Sequence, residues 1–294
     1  MIWLIGNKGM LGYEVEKLLK KKKTSYVASD QEIDITDYSI LKKFVKDKKV
    51  DWIINCAAYT AVDKAEEEIE KAYRINRDGV GNLARIALDK QAKLIHISTD
   101  YVFDGKKDKT CAYTEEDQPN PMGIYGKSKL DGEKEIRNIL NEYFIIRTAW
   151  LYGVNGHNFV YTMLRLFKER DVVKVVEDQW GSPTCAVDLA EGIFRIIVTG
   201  SEKYGVYHLT NEGVINRYQF AKAIYDKSNK FGLINGNKSI EVKSINTEEY
   251  PTAAVRPKNT ILSKEKIIKE FNLKIRDWDE ALEDFLNTLA LQTK

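Results

Sequence analysis

Apolar positions set a regular beat through the first half of the chain. A run at 2–5 ends in glycine, and Leu11, Val15, Leu18 and Leu19 then recur at helical spacing. Residues 25–29 read as a strand. Thr36 offers an N-cap hydroxyl to a helix carrying Ile40, Leu41, Phe44 and Val45. A buried-strand pattern follows at 52–56, one long helical stretch at 64–88, a strand at 93–98, a helix at 121–140 and a strand at 144–148. Strands alternating with helices predict an α/β fold, with a parallel sheet and helices on both faces.

The beat weakens from about residue 153. Residues 159–167, 187–198 and 219–225 read as helices, 172–176 and 206–209 as strands, and 229–239 as a loop. An amphipathic helix closes the chain at 278–289. No repeat or low-complexity linker separates the halves. The second half therefore reads as a smaller lobe woven into the first domain. The expected division is 1–152 for the sheet domain, with about 172–200 returning to it. The lobe then takes about 153–171 and 205–294. The 294 residues match two units at ~150 residues each.

Composition narrows the classes. Hydrophobic residues at 43% and charged residues at 31% are ordinary for a globular chain with a full core. A net charge of +2 leaves no footprint for nucleic acid or an anionic membrane. The basic run at 20–23 reads as a solvated helix end. Cys56, Cys111 and Cys185 are unpaired in spacing, which suits a reduced, cytoplasmic protein. His96, His157 and His208 have no metal-ligand spacing, so no zinc site is expected. The apolar N-terminal run is too short for a signal peptide, and no stretch reaches the ~18 apolar residues of a membrane span.

Three motifs carry chemistry. Gly6, Gly9 and Gly12 form G-x-x-G-x-x-G between the first strand and the first helix. Such a turn lets backbone approach a pyrophosphate at a helix N-terminus, as in a Rossmann-type doubly wound sheet. Asp30, at the end of the second strand, can accept the ribose hydroxyls of a dinucleotide or can serve as a turn aspartate. Asp34 can accept an adenine amino group or can stabilise the next helix start. Ser98, Thr99 and Asp100 end the fourth strand, where ligands of such sheets bind and polar groups can polarise a carbonyl. Tyr125 and Lys129 stand one helical turn apart, an arrangement in which an ammonium lowers a tyrosine pKa for proton transfer. Tyr-x-x-x-Lys occurs four times here, but only Tyr125 follows the polar strand end. The Gly126-Lys127-Ser128 run is not a phosphate loop, because the first glycine of that motif would fall on Pro121.

These motifs, in this order, resemble the extended short-chain dehydrogenase/reductase superfamily. Longer stretches resemble its dTDP-4-dehydrorhamnose reductase family: 55–66, 98–105, 125–133, 147–152, 158–159, 178–184 and 250–257. They span the chain, and the segment holding Arg256 and Pro257 is more diagnostic than the first half, which many relatives share. The resemblance implies NADPH or NADH as cofactor and a nucleotide-sugar substrate reduced at a C4 ketone. It implies that Tyr125 donates the proton, that Lys129 holds the nicotinamide ribose and lowers the Tyr125 pKa, and that Thr99 binds the carbonyl. Asp100 and Trp150 would touch the sugar nucleotide. Gly6, Gly9, Met10, Leu11 and Gly12 would meet the pyrophosphate, and Asp30, Asp34 and Ile35 the adenosine. Ala58, Tyr59, Thr60 and Ile97 would line the cofactor cleft.

Some relatives hold magnesium at a dimer contact. Glu14 matches that pattern, but Asp188 is out of register, so no metal is expected. Monomer and homodimer both stay open. Thr99 is followed by Asp100 and Tyr101, so the acid–base pair of the related dehydratases is missing. A nucleotide-sugar epimerase and a non-catalytic regulatory subunit of methionine adenosyltransferase remain the alternatives.

Overall fold

A computed structural model describes residues 1–234 and 240–292. The apolar runs become β1 (Ile2–Ile5), β2 (Tyr26–Ser29), β3 (Trp52–Asn55), β4 (Lys93–Thr99) and β5 (Tyr143–Thr148). The later strands used below are β6 (Val172–Val176), β7 (Gly205–His208) and β8 (Glu241–Ile245). One six-stranded sheet runs in the order β7-β5-β4-β3-β1-β2, and every pairing in it is parallel. Its inner strands β1, β3, β4 and β5 are buried on both faces, which is why they read as short continuous apolar runs, while edge strand β2 is half-buried.

Helices α1 (Met10–Lys21), α2 (Tyr38–Val45), α3 (Val80–Lys90) and α4 (Ile124–Ile139) follow the first four strands. The later helices are α5 (Phe159–Glu169), α6 (Ala186–Thr199), α7 (Arg217–Lys230), α8 (Glu265–Phe271) and α9 (Trp278–Gln292). One face of the sheet packs on α1, α6 and α8 through Leu11, Leu18, Leu189, Ile193, Ile267 and Phe271. The other packs on α2, α3 and α4 through Leu41, Leu83, Ile86 and Ile136. A separate core joins α5, α7, α9, β6 and β8 around Phe167, Phe220 and Phe285.

Several expectations shift. Asp37, not Thr36, caps α2, accepting from Ser39 N at 2.9 Å and Ile40 N at 3.2 Å. The Thr36 amide is already held by Asp34 Oδ1 at 2.8 Å, which delays the helix start. The helix expected over 64–88 breaks into Val62–Ala65, Ile69–Tyr73, a π-helical turn Arg74–Gly79 and α3. The helix expected from 121 starts at Ile124, whose amide binds Glu66 Oε1 at 2.8 Å. Segment β6 does not return to the large sheet. Its burial alternates, and it pairs with β8 as a half-exposed ribbon on the second core. In turn β7 and α8, expected in the lobe, complete the large sheet and its face. Residues 229 and 230 end α7, while 235–239 lie outside the described residues. Among the described residues no helix is long and apolar enough to cross a membrane.

One ion pair is sealed inside. Glu133 of α4 accepts from Arg147 of β5 at 2.6 and 2.9 Å, and from Ser98 Oγ of β4 at 2.5 Å. Both charged residues are 0% exposed. Glu133→Ala leaves a guanidinium buried and unpaired, and should lower stability by about 3–5 kcal/mol in urea unfolding. A loss below about 1 kcal/mol would show that water reaches Arg147.

Candidate active site

The glycine turn sits where the strand order reverses, since β1 lies between β2 and β3. That crevice is where open α/β sheets bind ligands. Gly6 adopts a φ of 77°, and its amide donates to Ser29 O at 2.8 Å. A Cβ on Gly12 would lie 2.0 Å from Gly6 O, so only glycine lets α1 start this close to the turn. Gly9 caps α1 without a side-chain hydrogen bond, which leaves first-turn amides for an anion. This cradle fits the pyrophosphate of a dinucleotide. Met10 and Leu11 are the first residues of α1.

Asp30 follows β2 directly and is half-buried. Asp34 holds the local turn through Thr36 N, and Ile35 is buried in the core with Gly79 against it. Among the described residues, Asp30 alone of the three makes no side-chain hydrogen bond and stays outside the core, directly at the end of β2. Ala58, Tyr59 and Thr60 follow β3. Asn76 of the π-helical turn clamps Tyr59 N and O at 2.9 and 3.0 Å and also donates to Ser128 Oγ at 3.0 Å. Ser128 Oγ in turn donates to Tyr125 O at 2.9 Å. One asparagine therefore locks the cleft wall to α4.

Tyr125 lies in the first turn of α4, facing the end of β4. A Cβ on Gly126 would lie 2.2 Å from Tyr101 O, so glycine is what lets the helix press on the Asp100–Val102 turn. The Tyr125 ring meets Tyr101 edge-on at 5.7 Å. Thr99 Oγ1 donates to Asp100 Oδ1 at 3.0 Å and accepts from Tyr101 N at 3.2 Å. Ser98 points to the opposite face of β4, onto Glu133, and takes no part in this cluster.

Burial pushes the Tyr125 phenol up, only partly offset by the Thr99 hydroxyl. This direction is opposite to the lowering expected from Lys129. The reason is geometric: Lys129 Nζ donates to Ile97 O at 2.6 Å and lies 3.2 Å from His96 Nε2. The ammonium is turned into the sheet and 1% exposed, and burial brings it down to about 8. His96 is itself held by Asn55 Nδ2 at 3.0 Å. Burial also raises Asp100 to about 6, opposed by the nearby Thr260 and Thr99 hydroxyls, and its Oδ2 makes no well-formed hydrogen bond.

Trp150 follows β5 in a left-handed backbone conformation, φ 47°. Such a φ is strained for a bulky residue and concentrates at functional sites. Its indole rests on Gly181, where a Cβ would lie 2.8 Å from the ring. The Arg217 guanidinium stacks on it at 3.6 Å. Arg217 feels the charge of Asp100, so Trp150 joins the cluster through that arginine.

The family model described as the RmlD substrate binding domain matches residues 1–291. A dTDP-4-dehydrorhamnose reductase of Aggregatibacter actinomycetemcomitans is 40% identical over 287 residues, 96% of each chain. The chain belongs to the dTDP-4-dehydrorhamnose reductase family. A solved reductase of that name from Clostridium acetobutylicum superposes with a TM-score of 0.90, at 40% identity, covering 98% of this chain and 99% of the other. Another, from Bacillus anthracis and in complex with NADP, gives 0.88 at 40% identity and 97% of each chain.

Within this family frame, Asp188 is held by Asn211 Nδ2 and by Arg276 Nε, each at 2.7 Å, while Glu14 is buried in α1. Among the described residues no group of three acidic, histidine or cysteine side chains could hold a metal. Several site residues were given no role by the sequence. Asn76 lies inside what reads as continuous helix. Asn55, His96, Glu133 and Arg147 read as strand or helix residues. Arg217 and the Asp63–Arg256 pair, at 2.7 Å, are joined only by the fold.

Lys129 makes stability depend on pH. Between about 8 and 10.5 the unfolded chain holds a proton that the folded chain lacks. Raising pH through that window therefore favours the folded state. The unfolding free energy of the wild type, minus that of Lys129→Met, should rise by up to about 3 kcal/mol from pH 7.5 to 10 in urea titrations. A flat difference would place the Lys129 pKa near its ordinary value.

Proposed function

We propose that this chain reduces the C4 keto group of dTDP-4-dehydro-L-rhamnose to dTDP-L-rhamnose with NADPH or NADH. The observation that carries this is the half-buried Tyr125, set beside the Thr99 hydroxyl at the carboxyl end of β4, with Lys129 one helical turn on. Membership of the reductase family, and a relative solved with NADP, support the same reading.

The dinucleotide, when bound, supplies the hydride. The amides at the start of α1 hold its pyrophosphate, and Asp30 takes the adenosine ribose. The cleft wall at Ala58–Thr60, fixed by Asn76, lines the path to the nicotinamide. Lys129 reaches the nicotinamide ribose by giving up its contact with Ile97 O. Tyr125 carries its proton throughout the neutral range, which is the state a donor to a developing alkoxide needs. The Thr99 hydroxyl rotates from Asp100 toward the carbonyl oxygen and stabilises charge as it forms there. Asp100 and Trp150 position the sugar. The Tyr125 and Thr99 hydroxyls together supply two hydrogen bonds to the ketone oxygen as it takes on charge.

The test is NAD(P)H oxidation with the keto-sugar made in situ by the preceding pathway enzymes. Oxidation that requires the keto-sugar, with dTDP-L-rhamnose as product, is expected. No oxidation with either cofactor, from protein that binds dinucleotide, would overturn the proposal. Tyr125→Phe should lower kcat by about 10²–10⁴-fold while NADPH affinity stays within about 2-fold. Near-wild-type turnover in that variant would remove Tyr125 as the donor.

A further inference from the structure

Among the described residues, three cations near the active-site cleft are matched to acceptors. Arg256 makes a two-pronged pair with Asp63, at 2.7 and 3.1 Å. Lys258 is shared between Asp178 at 3.1 Å and Glu248 at 3.3 Å. Lys129 is bound to Ile97 O. Arg217 is different. Its backbone amide is anchored on Gln179 O at 3.1 Å, which fixes the first turn of α7. Its guanidinium lies 3.6 Å from the Trp150 ring centroid and 4.9 Å from that of Phe159. Among the described residues no carboxylate lies in ion-pair contact with it.

This arrangement is costly as it stands. Arg217 is half-buried, so its guanidinium loses part of its hydration, and aromatic faces return only some of that energy. Burial accordingly lowers Arg217 to about 10, with Arg256 pressing the same way and Asp100 and Tyr101 opposing. Stacking also leaves the edge of the guanidinium free, and the edge carries its five N–H donors. Asp100, 2% exposed, lies in the same neighbourhood; the Thr99 and Thr260 hydroxyls flank it, and its Oδ2 makes no well-formed hydrogen bond. The site is therefore built for a ligand that brings anionic oxygens to Arg217 and a hydroxyl donor to Asp100.

We infer that Arg217, held flat by Trp150 and Phe159, binds the diphosphate of the nucleotide sugar. The inference rests on the substrate reading given above. A diphosphate presents paired oxygens that match the guanidinium fork, where a lysine would give only a point charge. The strained backbone at Trp150 then has a use, because it turns the indole to support the arginine. A hydroxyl of the sugar next to the phosphate would reach Asp100, between Arg217 and the reacting carbonyl.

Calorimetric titration with dTDP and with thymidine separates phosphate from base. In Arg217→Met, dTDP should bind about 10–100-fold more weakly while thymidine changes less than about 2-fold. Arg217→Lys should recover part of the lost dTDP affinity. NADPH affinity should hold in both variants, and KM for the keto-sugar should rise with kcat little changed. Equal losses for dTDP and thymidine would overturn the inference, because Arg217 would then act on the base or merely support Trp150. Should Arg217→Met fail to bind NADPH, the dTDP-to-thymidine affinity ratio of Arg217→Lys decides: a wild-type ratio overturns the inference. The two proposals fail separately. A wild type without keto-sugar-dependent oxidation removes the reductase reading. Arg217-independent dTDP affinity in an active enzyme removes this one.

Discussion

The Glu133–Arg147 pair is the constraint on which the site depends. It ties α4 to β5, and Ser98 ties the same carboxylate to β4. A helix on a sheet can slide and roll over apolar contacts, because those contacts are not directional. A doubly hydrogen-bonded ion pair cannot slide without leaving a charge unpaired in a dry interior. The pair therefore sets the rotation of α4. That rotation aims Tyr125 at Thr99, because both project from the elements so joined. Asn76 and Ser128 repeat the logic one turn earlier, fixing α4 to the cofactor wall.

The electrostatics of the site follow from the same enclosure. Burial raises the tyrosine and lowers the lysine, so both favour their neutral forms. Like burial with opposite charge types drives the two pKa values apart, not together. An expectation built only on their one-turn spacing reverses the direction for Tyr125. The spacing is present, but Lys129 spends its donors on Ile97 O and points along His96 instead of the phenol.

The first half of the fold was legible because local pattern and tertiary role agree there. Buried parallel strands read as apolar runs, and glycines mark the turn at β1. Tyr125, Lys129 and Thr99 stood out through spacing and order alone. The second half resisted for a physical reason. Segment β6 finds its partner in β8, far along the chain, and no local period encodes that pairing. The helix expected over 64–88 kept its apolar spacing across a π-helical turn, so Asn76 was hidden in it. The Asp63–Arg256 pair joins residues 193 positions apart. Arg217 carries no motif, and its role appears only once Trp150 and Phe159 are beside it.

The position of β7 has a consequence for synthesis of the protein. This strand covers the outer edge of β5, yet it is made after α5, β6 and α6. During translation the nascent sheet must wait with Phe144, Ile145 and Ile146 along an open edge until residues 205–208 leave the ribosome. An open edge of that kind pairs readily with other chains. The apparent halves of this protein are thus not separable modules. A gene cut after residue 152 would encode a fragment whose β5 edge stays uncovered.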